Sequence, residues 1–304
     1  MDKGRFAPSP TGRMHLGNLF CALLSWLSAK SKGGEWLLRI EDIDPARSRK
    51  EFADLLMDDL HWLGLEWDGA PVVQSQRTDI YEHYFRQLQA RGLTYPCYCT
   101  RADLLATQAP HESDGRVVYK GTCRHLPPQP GRQGAMRLIV PDRDMHCTDG
   151  HYGDYMVNLS SHVGDFIIRR KDGAWAYQLV VVIDDALMGV TEVVRGRDLL
   201  LSSPQQMYVA SLLGFTPPHF YHLPLLCNAA HQRLSKRDKS LDMDSLRRHI
   251  EPTQVIGLLA WQAGLLPEPT PITAQELLPL FAWSKIPCTD LLFQDEKMAG
   301  LSSF

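Results

Sequence analysis

Residues 5–18 read RFAPSPTGRMHLGN, and this stretch decides the fold. A short strand, Arg5 to Ala7, is followed by a loop of proline, serine and glycine, and a helix with an apolar face begins near Leu16. A strand that leads through a short loop into a helix is typical of parallel α/β sheets. We therefore expect residues 5–18 to form the first strand and the first helix start of such a sheet.

The alternation of strands and helices continues to about residue 94. A second strand ends at Ile40, and helices are predicted at about 51–63 and 79–91. Ser48 and Glu51 have the spacing of a capping box, which predicts the start of the first of these helices. The βαβα order favours an α/β fold with a Rossmann-type, doubly wound parallel sheet.

A segment rich in proline, glycine, histidine and cysteine interrupts this order. It reads as an inserted small subdomain, and the α/β pattern resumes near Phe166. From about Pro252 the pattern is helical, because proline suits a first helical position. The predicted division is a first α/β half at 1–94, an inserted subdomain at 95–165, a second α/β half at 166–230, and a loop with a short helical C-terminal region at 231–304. Residues 294–304 are expected to form a frayed tail.

Length and composition exclude several classes of protein. The chain has 304 residues, of which 44% are hydrophobic and 22% charged, as in ordinary soluble globular proteins. Its net charge of -3 does not indicate a general nucleic-acid binder, so contact with RNA would need a local basic patch. No apolar run is long enough for a membrane span, and no signal peptide is recognisable. A cytoplasmic, monomeric enzyme without membrane contact is expected.

Two polar segments have the chemistry of phosphate binding. His15-Leu16-Gly17-Asn18 begins a helix, where unpaired backbone N–H groups and the helix dipole favour anions. The second segment, residues 233–237, reads RLSKR, and its cations flanking a hydroxyl could neutralise a triphosphate in the transition state. Taken singly, each segment also has a structural explanation, a structural role at the helix start for the first and a solvated charge run for the second.

Together the two segments resemble the two signatures of the class I aminoacyl-tRNA synthetases. RFAPSPTG at 5–12, RIEDID at 39–44 and VIDDALMG at 182–189 are similar to the glutamyl- and glutaminyl-tRNA synthetase subgroup. Asn18 stands where the first signature has its second histidine, and Arg233 replaces the first lysine of the second signature. The resemblance implies catalytic roles for His15, Asn18, Ser235 and Lys236. It also implies ATP binding, with Mg²⁺, by Pro8, His15, Gly17, Asn18 and Lys236.

A pocket for glutamate needs cations for two carboxylates and an acid for the ammonium group. Arg5 and Arg195 lie at the ends of predicted strands, where open α/β sheets bind ligands, and Glu41 lies likewise. The resemblance adds Ala7, Ser9 and Tyr177 to the glutamate-binding set. Two arginines favour glutamate over glutamine, because a neutral amide would leave one cation unpaired unless Glu41 or Asp185 paired with it.

Three cysteines in the insertion indicate a metal site. Cys97 and Cys99 are one residue apart, and Cys123 follows after a loop. Zn²⁺ prefers four ligands, mostly cysteine and histidine. Candidates for the fourth ligand are Tyr119, His125, His111 and Cys147. Short synthetases that this chain resembles pair Cys-x-Cys with Tyr-x-x-x-Cys, which implies a structural Zn²⁺ on Cys97, Cys99, Tyr119 and Cys123.

The acceptor of the activated glutamate follows from a further resemblance. Only residues 238–304 follow the second signature, and this length with the cysteine-rich insertion resembles the glutamyl-queuosine tRNA(Asp) synthetase family, which carries no anticodon-binding domain. The resemblance makes residues 1–94 and 166–230 the two halves of the catalytic domain and residues 95–165 a zinc-containing, acceptor-like insertion. The implied partners are ATP, L-glutamate and tRNA(Asp) carrying queuosine. The candidate phosphate contacts are Lys236, Arg237, Lys239, Arg247 and Arg248, and for the last two a solvated basic face is an equal alternative. Two alternatives stay open: a minimal glutamyl-tRNA synthetase that charges a 3′ end, and a non-catalytic, zinc-containing RNA-binding paralog.

Overall fold

A computed structural model describes residues 2–100, 102–103, 118–228, 230–234 and 243–293. The strands are β1 Lys3–Phe6, β2 Glu35–Ile40, β3 Val72–Val73, β4 Thr94–Cys97, β5 Ala135–Leu138, β6 Asp144–Asp149, β7 Gly153–Asn158, β8 Phe166–Arg169, β9 Glu192–Gly196, β10 His219–Leu223, β11 Leu226–Cys227 and β12 Leu291–Leu292. The α-helices are α1 Leu16–Lys30, α2 Lys50–Trp62, α3 Thr78–Ala90, α4 Leu159–His162, α5 Tyr177–Met188, α6 Ser202–Leu213, α7 Met243–His249, α8 Pro252–Gln262 and α9 Ala274–Leu277. Short 3₁₀ helices lie at Gln74–Arg77, Arg197–Leu199, Leu278–Leu280 and Trp283–Lys285.

The central sheet is doubly wound, as the sequence predicts. Strands β1, β2 and β3 pair in parallel, and β9 and β10 pair in parallel with β6 beyond them. The two sheets meet where the backbone N–H of Thr191 donates to the carbonyl of Lys3 at 2.9 Å, which places β9 beside β1. Strand order reverses between these two strands, and open α/β sheets bind ligands at that point.

Helix α1 fills the space over this junction. Leu16, Leu19, Leu23 and Leu27 are fully buried, and the helix contacts β1, β2 and β9 on one side and α8 on the other. A helix enclosed on two sides is apolar around most of its circumference, which is what the run LFCALLSWL provides. The rigid helix therefore fixes its N-terminus, and the signature that begins it, at the sheet edge.

The predicted insertion contains two different pairings. Strands β4, β5 and β8 form a separate antiparallel sheet, whereas the hairpin of β6 and β7 extends the central sheet through β10. Residues 144–158, assigned by sequence to the insertion, thus pair with the catalytic sheet. The division of the chain into domains otherwise stays a prediction.

The predicted capping box at the start of α2 is wrong. The N-cap is Arg49, which makes no side-chain cap, and the hydroxyl of Ser48 is buried without a hydrogen-bond partner among the described residues. The reason lies in the preceding loop, because the Arg49 N–H donates to the carbonyl of Pro10 at 3.0 Å. This tertiary bond fixes the helix start one residue later than the sequence spacing indicates.

None of the helices in the described part of the chain has the length and apolar character that a membrane crossing requires. The helical pattern predicted after Pro252 is present in α8 and α9. Residues 294–304, predicted as a frayed tail, lie outside the described residues.

Candidate active site

A cavity of about 430 Å³ lies at the carboxyl ends of β1, β2, β9 and β10, at the point where strand order reverses. Its walls contain all six residues predicted to bind glutamate and the described residues predicted to bind ATP. These lining residues are Arg5, Ala7, Pro8, Ser9, His15, Gly17, Asn18, Glu41, Tyr177 and Arg195. The structure therefore brings together residues that lie as far apart in sequence as Arg5 and Arg195.

The first signature folds into a cap whose hydrogen bonds fix the orientation of two side chains. His15 is the N-cap of α1, and its Nδ1 accepts from the backbone N–H of Gly17 at 3.1 Å. Because Nδ1 accepts, the proton of the neutral ring lies on Nε2, which can donate. The Oδ1 of Asn18 accepts from the His15 N–H at 3.2 Å, so the Asn18 amide group has its N–H₂ on the other side. Both side chains thus carry donors suited to a phosphate.

Gly17 makes this cap possible by close approach. A Cβ at this position would lie 3.0 Å from Cε1 and 3.1 Å from Nδ1 of His15. A larger residue would push the imidazole away from the N–H groups of the first turn. The glycine therefore leaves the imidazole room to form its own cap, in addition to allowing any approach of nucleotide to the backbone.

The second signature begins at the wall of the cavity. Arg233 and Leu234 line it, and the Leu234 N–H donates to the carbonyl of Leu226 at 2.8 Å. Arg233 forms an ion pair with Asp198. Ser235 and Lys236, predicted to be catalytic, lie outside the described residues, so their roles stay predictions.

A network of buried charges underlies the glutamate-binding residues. Arg39 is fully buried and donates to Glu41 at 3.0 Å and to Asp185 at 2.6 Å, while Arg5 lies 3.4 Å from the same Asp185 oxygen. Burial alone would raise the pKa of Asp185, but Arg39 and Arg5 hold it below its ordinary value. Burial raises the pKa of Glu41 although Arg39 opposes the shift. Arg5 is therefore partly neutralised, and Glu41 shares its charge with Arg39.

Sequence reasoning did not assign Arg39 or Asp184 to the site. Asp184 accepts from Gln74, Arg77 and Tyr81 at 2.8, 2.7 and 2.8 Å. The available signal was the pair Asp184-Asp185 within an apolar helix, because buried carboxylates require cationic or donor partners. That signal predicts that partners exist, but it does not identify them.

Arg195 has a different environment from Arg5. Its guanidinium donates to neutral acceptors, and no described carboxylate forms an ion pair with it. These acceptors are His222 Nε2 at 3.1 Å, Gln206 Oε1 at 2.8 Å, Ser203 Oγ at 2.8 Å, Tyr177 Oη at 3.2 Å and the Leu199 carbonyl at 3.4 Å. These acceptors carry no charge and leave the positive charge of Arg195 without a counter-ion among the described residues, so a ligand carboxylate that replaces the longer bonds to Tyr177 or Leu199 would supply one.

The predicted zinc ligands meet in the antiparallel part of the molecule. The sulfur atoms of Cys97, Cys99 and Cys123 lie within 4.8 Å of one another, and Cys99 and Cys123 are 3.6 Å apart. The Tyr119 hydroxyl lies 3.4 Å from the Cys97 sulfur and 3.9 Å from the Cys99 sulfur. Sulfur ligands around tetrahedral Zn²⁺ are separated by about 3.8 Å, so this donor set fits the ion.

Tyr119 is held in place by the backbone and by a cation. Its hydroxyl accepts from the Cys123 N–H at 2.7 Å, and the Arg137 guanidinium lies 3.7 Å from its ring centroid. Burial and the neighbouring Cys97 raise the pKa of Tyr119, so without a metal ion the group is a phenol. Burial alone would raise the pKa of Cys97, but hydrogen bonds from Tyr119 and Arg137 hold it below its ordinary value.

The other candidates for the fourth ligand do not join this cluster. Cys147 is buried in β6 of the central sheet, and His125 is exposed. Neither belongs to the group of close sulfur atoms among the described residues. His111 lies outside the described residues.

The two arginines suggested as phosphate contacts are already paired. Arg247 forms ion pairs with Asp58 and Asp59, and Arg248 pairs with Asp244 at 2.7 Å. Ion pairs on the protein itself do not test contact with RNA, so phosphate binding by Arg247 and Arg248 stays a prediction. The other candidates, Lys236, Arg237 and Lys239, lie outside the described residues. The sequence spacing does not show the ion pairs of Arg247, because Asp58 and Asp59 lie on a distant helix.

Comparison with known proteins agrees with the geometry. Residues 3–256 match the family model of the class I tRNA synthetases (E and Q), catalytic domain. A glutamyl-Q tRNA(Asp) synthetase of Nitratidesulfovibrio vulgaris is 44% identical over 96% of this chain and 95% of its own length, and one of Symbiobacterium thermophilum is 43% identical over 98% of each chain. A glutamate tRNA ligase from Elizabethkingia meningosepticum, solved with its amino acid, superposes with a TM-score of 0.84 at 26% identity, over 99% of this chain and 68% of that one.

Proposed function

Because the chain belongs to the class I tRNA synthetases for glutamate and glutamine, and within them to the glutamyl-Q tRNA(Asp) synthetases, we propose that it activates L-glutamate with ATP and transfers it to the queuosine base of tRNA(Asp). The observation that carries this proposal is that one cavity is lined both by the first signature and by the glutamate-binding residues. It is a ligase, and it needs a tRNA as the final acceptor.

The amino-acid specificity follows from the charges of the cavity. Among the described residues the acceptors of Arg195 are all neutral, whereas Arg5 has a carboxylate partner in Asp185. The side-chain carboxylate of glutamate would give the buried Arg195 a counter-ion. The neutral amide of glutamine would leave Arg195 without one. Sites with such groups reject the wrong ligand by large factors. Glutamate is therefore the substrate, with Glu41 beside its ammonium group.

The chemistry requires positioning and charge stabilisation rather than a protein nucleophile. The α-carboxylate of glutamate attacks the α-phosphorus of ATP, and pyrophosphate leaves with Mg²⁺. His15 Nε2 and the Asn18 amide donate to the phosphates, and Lys236 with Ser235 stabilises the leaving group. The thiol of Cys21 also lines the cavity, but burial raises its pKa to about 11, so it stays neutral.

Cys97, Cys99, Tyr119 and Cys123 hold a structural Zn²⁺ in this proposal. The distances between their donor atoms support it. When bound, the ion would join β4 to the segment around Tyr119 and Cys123, in a region where the buried hydrophobic cluster contains four of the described residues.

The acceptor is tested with labelled glutamate and two preparations of tRNA(Asp), one with queuosine and one with guanosine at the same position. Label only on the queuosine form supports the proposal. A queuosine-containing tRNA(Asp) without its 3′-terminal adenosine is the control, and it should be labelled equally well. Label on the 3′ end of tRNA(Glu) alone would replace the proposal by the conventional synthetase.

Loss of catalysis is tested separately by glutamate-dependent exchange of pyrophosphate into ATP. Lys236→Ala should reduce this exchange while the fold is retained. A wild-type protein that shows no exchange, with or without tRNA, would favour the non-catalytic RNA-binding alternative.

A further inference from the structure

Three buried polar side chains form a row beneath the glutamate cavity. Arg195 on β9 donates from Nε to Nε2 of His222 on β10 at 3.1 Å, and Nδ1 of His222 lies 2.6 Å from Oδ2 of Asp149 on β6. All three are at least 96% buried, and only Arg195 lines the cavity. The row therefore connects the cavity to a carboxylate two strands away.

Hydrogen-bond chemistry fixes the protonation of this row. Arginine has only donors, so Nε2 of His222 must accept, and the ring proton lies on Nδ1, where it donates to Asp149. Burial lowers the pKa of His222, and hydrogen bonds from His222 and the backbone hold the pKa of Asp149 below its ordinary value although burial opposes them. The row therefore contains a cation, a neutral imidazole and a carboxylate.

The other oxygen of Asp149 is committed to the backbone. Its Oδ1 accepts from the N–H groups of His151 at 3.0 Å and Tyr152 at 2.8 Å, with the His222 N–H at 3.3 Å. Each of these groups can only donate. Asp149 must therefore present an acceptor on both sides, which an aspartate does and an asparagine cannot do.

We propose that Asp149 and His222 are positioning residues for glutamate recognition, which orient the Arg195 guanidinium through the imidazole while keeping a carboxylate out of direct contact with it. The inference rests on the proposed function of the cavity. An acid placed directly against Arg195 would neutralise the cation that the substrate carboxylate needs, whereas a neutral imidazole fixes its direction and leaves the charge to the ligand.

Asp149→Asn tests the row of Arg195, His222 and Asp149 by changing a single side-chain atom. The asparagine Oδ1 is required by the backbone N–H groups, because turning the amide around would oppose several buried donors at a cost of about 1–3 kcal/mol each. Its N–H₂ then faces Nδ1 of His222. Nδ1 of the imidazole must then accept, so the ring proton lies on Nε2. There it faces the Nε–H donor of Arg195, and the hydrogen bond that orients the guanidinium is lost.

The measurements are the KM for glutamate and kcat in pyrophosphate exchange at saturating ATP, together with ¹⁵N spectra of histidine-labelled protein. Asp149→Asn should raise the KM about 10–100-fold with a much smaller change in kcat, as expected for a residue that supports a ligand-binding group. The His222 ring signals, identified by their loss in His222→Gln, should change from the Nδ1-protonated to the Nε2-protonated tautomer. Asp165→Asn is the control for the loss of a buried carboxylate, because Asp165 accepts from the Val140 N–H, pairs with Arg124 and does not line the cavity, so its KM for glutamate should stay unchanged.

A second pair of variants decides the question if Asp149→Asn does not fold. His222→Gln retains a carbonyl acceptor for Arg195, whereas His222→Leu does not, so the KM should be lower in the glutamine variant. Equal KM values in this pair, or an unchanged KM in a folded Asp149→Asn protein, would overturn the inference. A wild-type protein that shows no pyrophosphate exchange would instead refute the proposed function. The His222 tautomer in Asp149→Asn would still report on the hydrogen bonds of the row.

Discussion

The Nδ1 atom of His15 accepts a hydrogen bond from the backbone N–H of Gly17 across 3.1 Å. One ring nitrogen thus stabilises the first turn of α1, and the other is left with the proton. The same histidine therefore has a structural role and a chemical role, which two substitutions can separate.

His15→Asn should retain the helix cap and withdraw the phosphate donor, because the asparagine side chain is shorter and its N–H₂ does not extend as far as Nε2 of the imidazole. The asparagine oxygen can replace Nδ1 as acceptor, whereas alanine cannot, so His15→Ala should cost about 0.5–2 kcal/mol in unfolding free energy. Both variants should reduce pyrophosphate exchange about 10²–10³-fold, as for loss of one donor to developing charge. Urea unfolding and exchange rates check the two roles, and full exchange activity in His15→Asn would show that Nε2 does not contact ATP.

Arg39 should be one of the most sensitive residues of the core. Arg39→Met removes the cation between Glu41 and Asp185 and leaves buried carboxylates without it, which costs about 3–5 kcal/mol. Arg86→Met is the control, because Arg86 forms an exposed pair with Glu82 whose loss costs about 0–1 kcal/mol. Equal losses of unfolding free energy in the two variants would contradict the assignment of a buried network.

Metal content tests the cysteine cluster. The purified protein should contain zinc, Cys99→Ser should lose it, and Cys288→Ser should retain it because Cys288 is exposed and outside the cluster. Tyr119→Phe should bind zinc more weakly than the wild type in competition with a chelator. Elemental analysis and chelator titration provide the measurements, and an unchanged affinity in Tyr119→Phe would remove the phenol from the ligand set.

Acid should weaken both the fold and glutamate binding through His222. Burial lowers its pKa below the ordinary value of 6.5, opposed by the bond to Asp149, so the unfolded chain takes up a proton at a higher pH than the folded one. Its contribution to stability is complete above pH 6.5 and decreases as the pH falls toward the folded pKa. The charged groups that face the ring are Asp149 and Arg195.

The pH dependence is isolated by comparing wild type with His222→Gln. Denaturant midpoints and the KM for glutamate, measured from pH 8 downward, should differ between the two proteins mainly below that ordinary value. Identical profiles would mean that another group controls the acid response.

The sequence by itself determined the elements that carry the site. His15 at the start of α1, Glu41 after β2 and Arg195 on β9 lie where the local pattern predicted, because strand ends and helix starts depend on nearby residues. The cysteine spacing likewise predicted the three sulfur atoms of the cluster. Resemblance, rather than spacing, selected Tyr119 among four candidates.

Only the tertiary structure decided which charges are neutralised and which are left for a ligand. Arg39 and Asp185 are separated by 146 residues, and His222 and Asp149 by 73, so their pairing depends on the order of strands in the sheet. Periodicity predicts that a strand is buried, but it does not predict its neighbour. For that reason the sequence identified Arg5 and Arg195 as equivalent cations, whereas packing paired one with a carboxylate and gave the other neutral partners among the described residues.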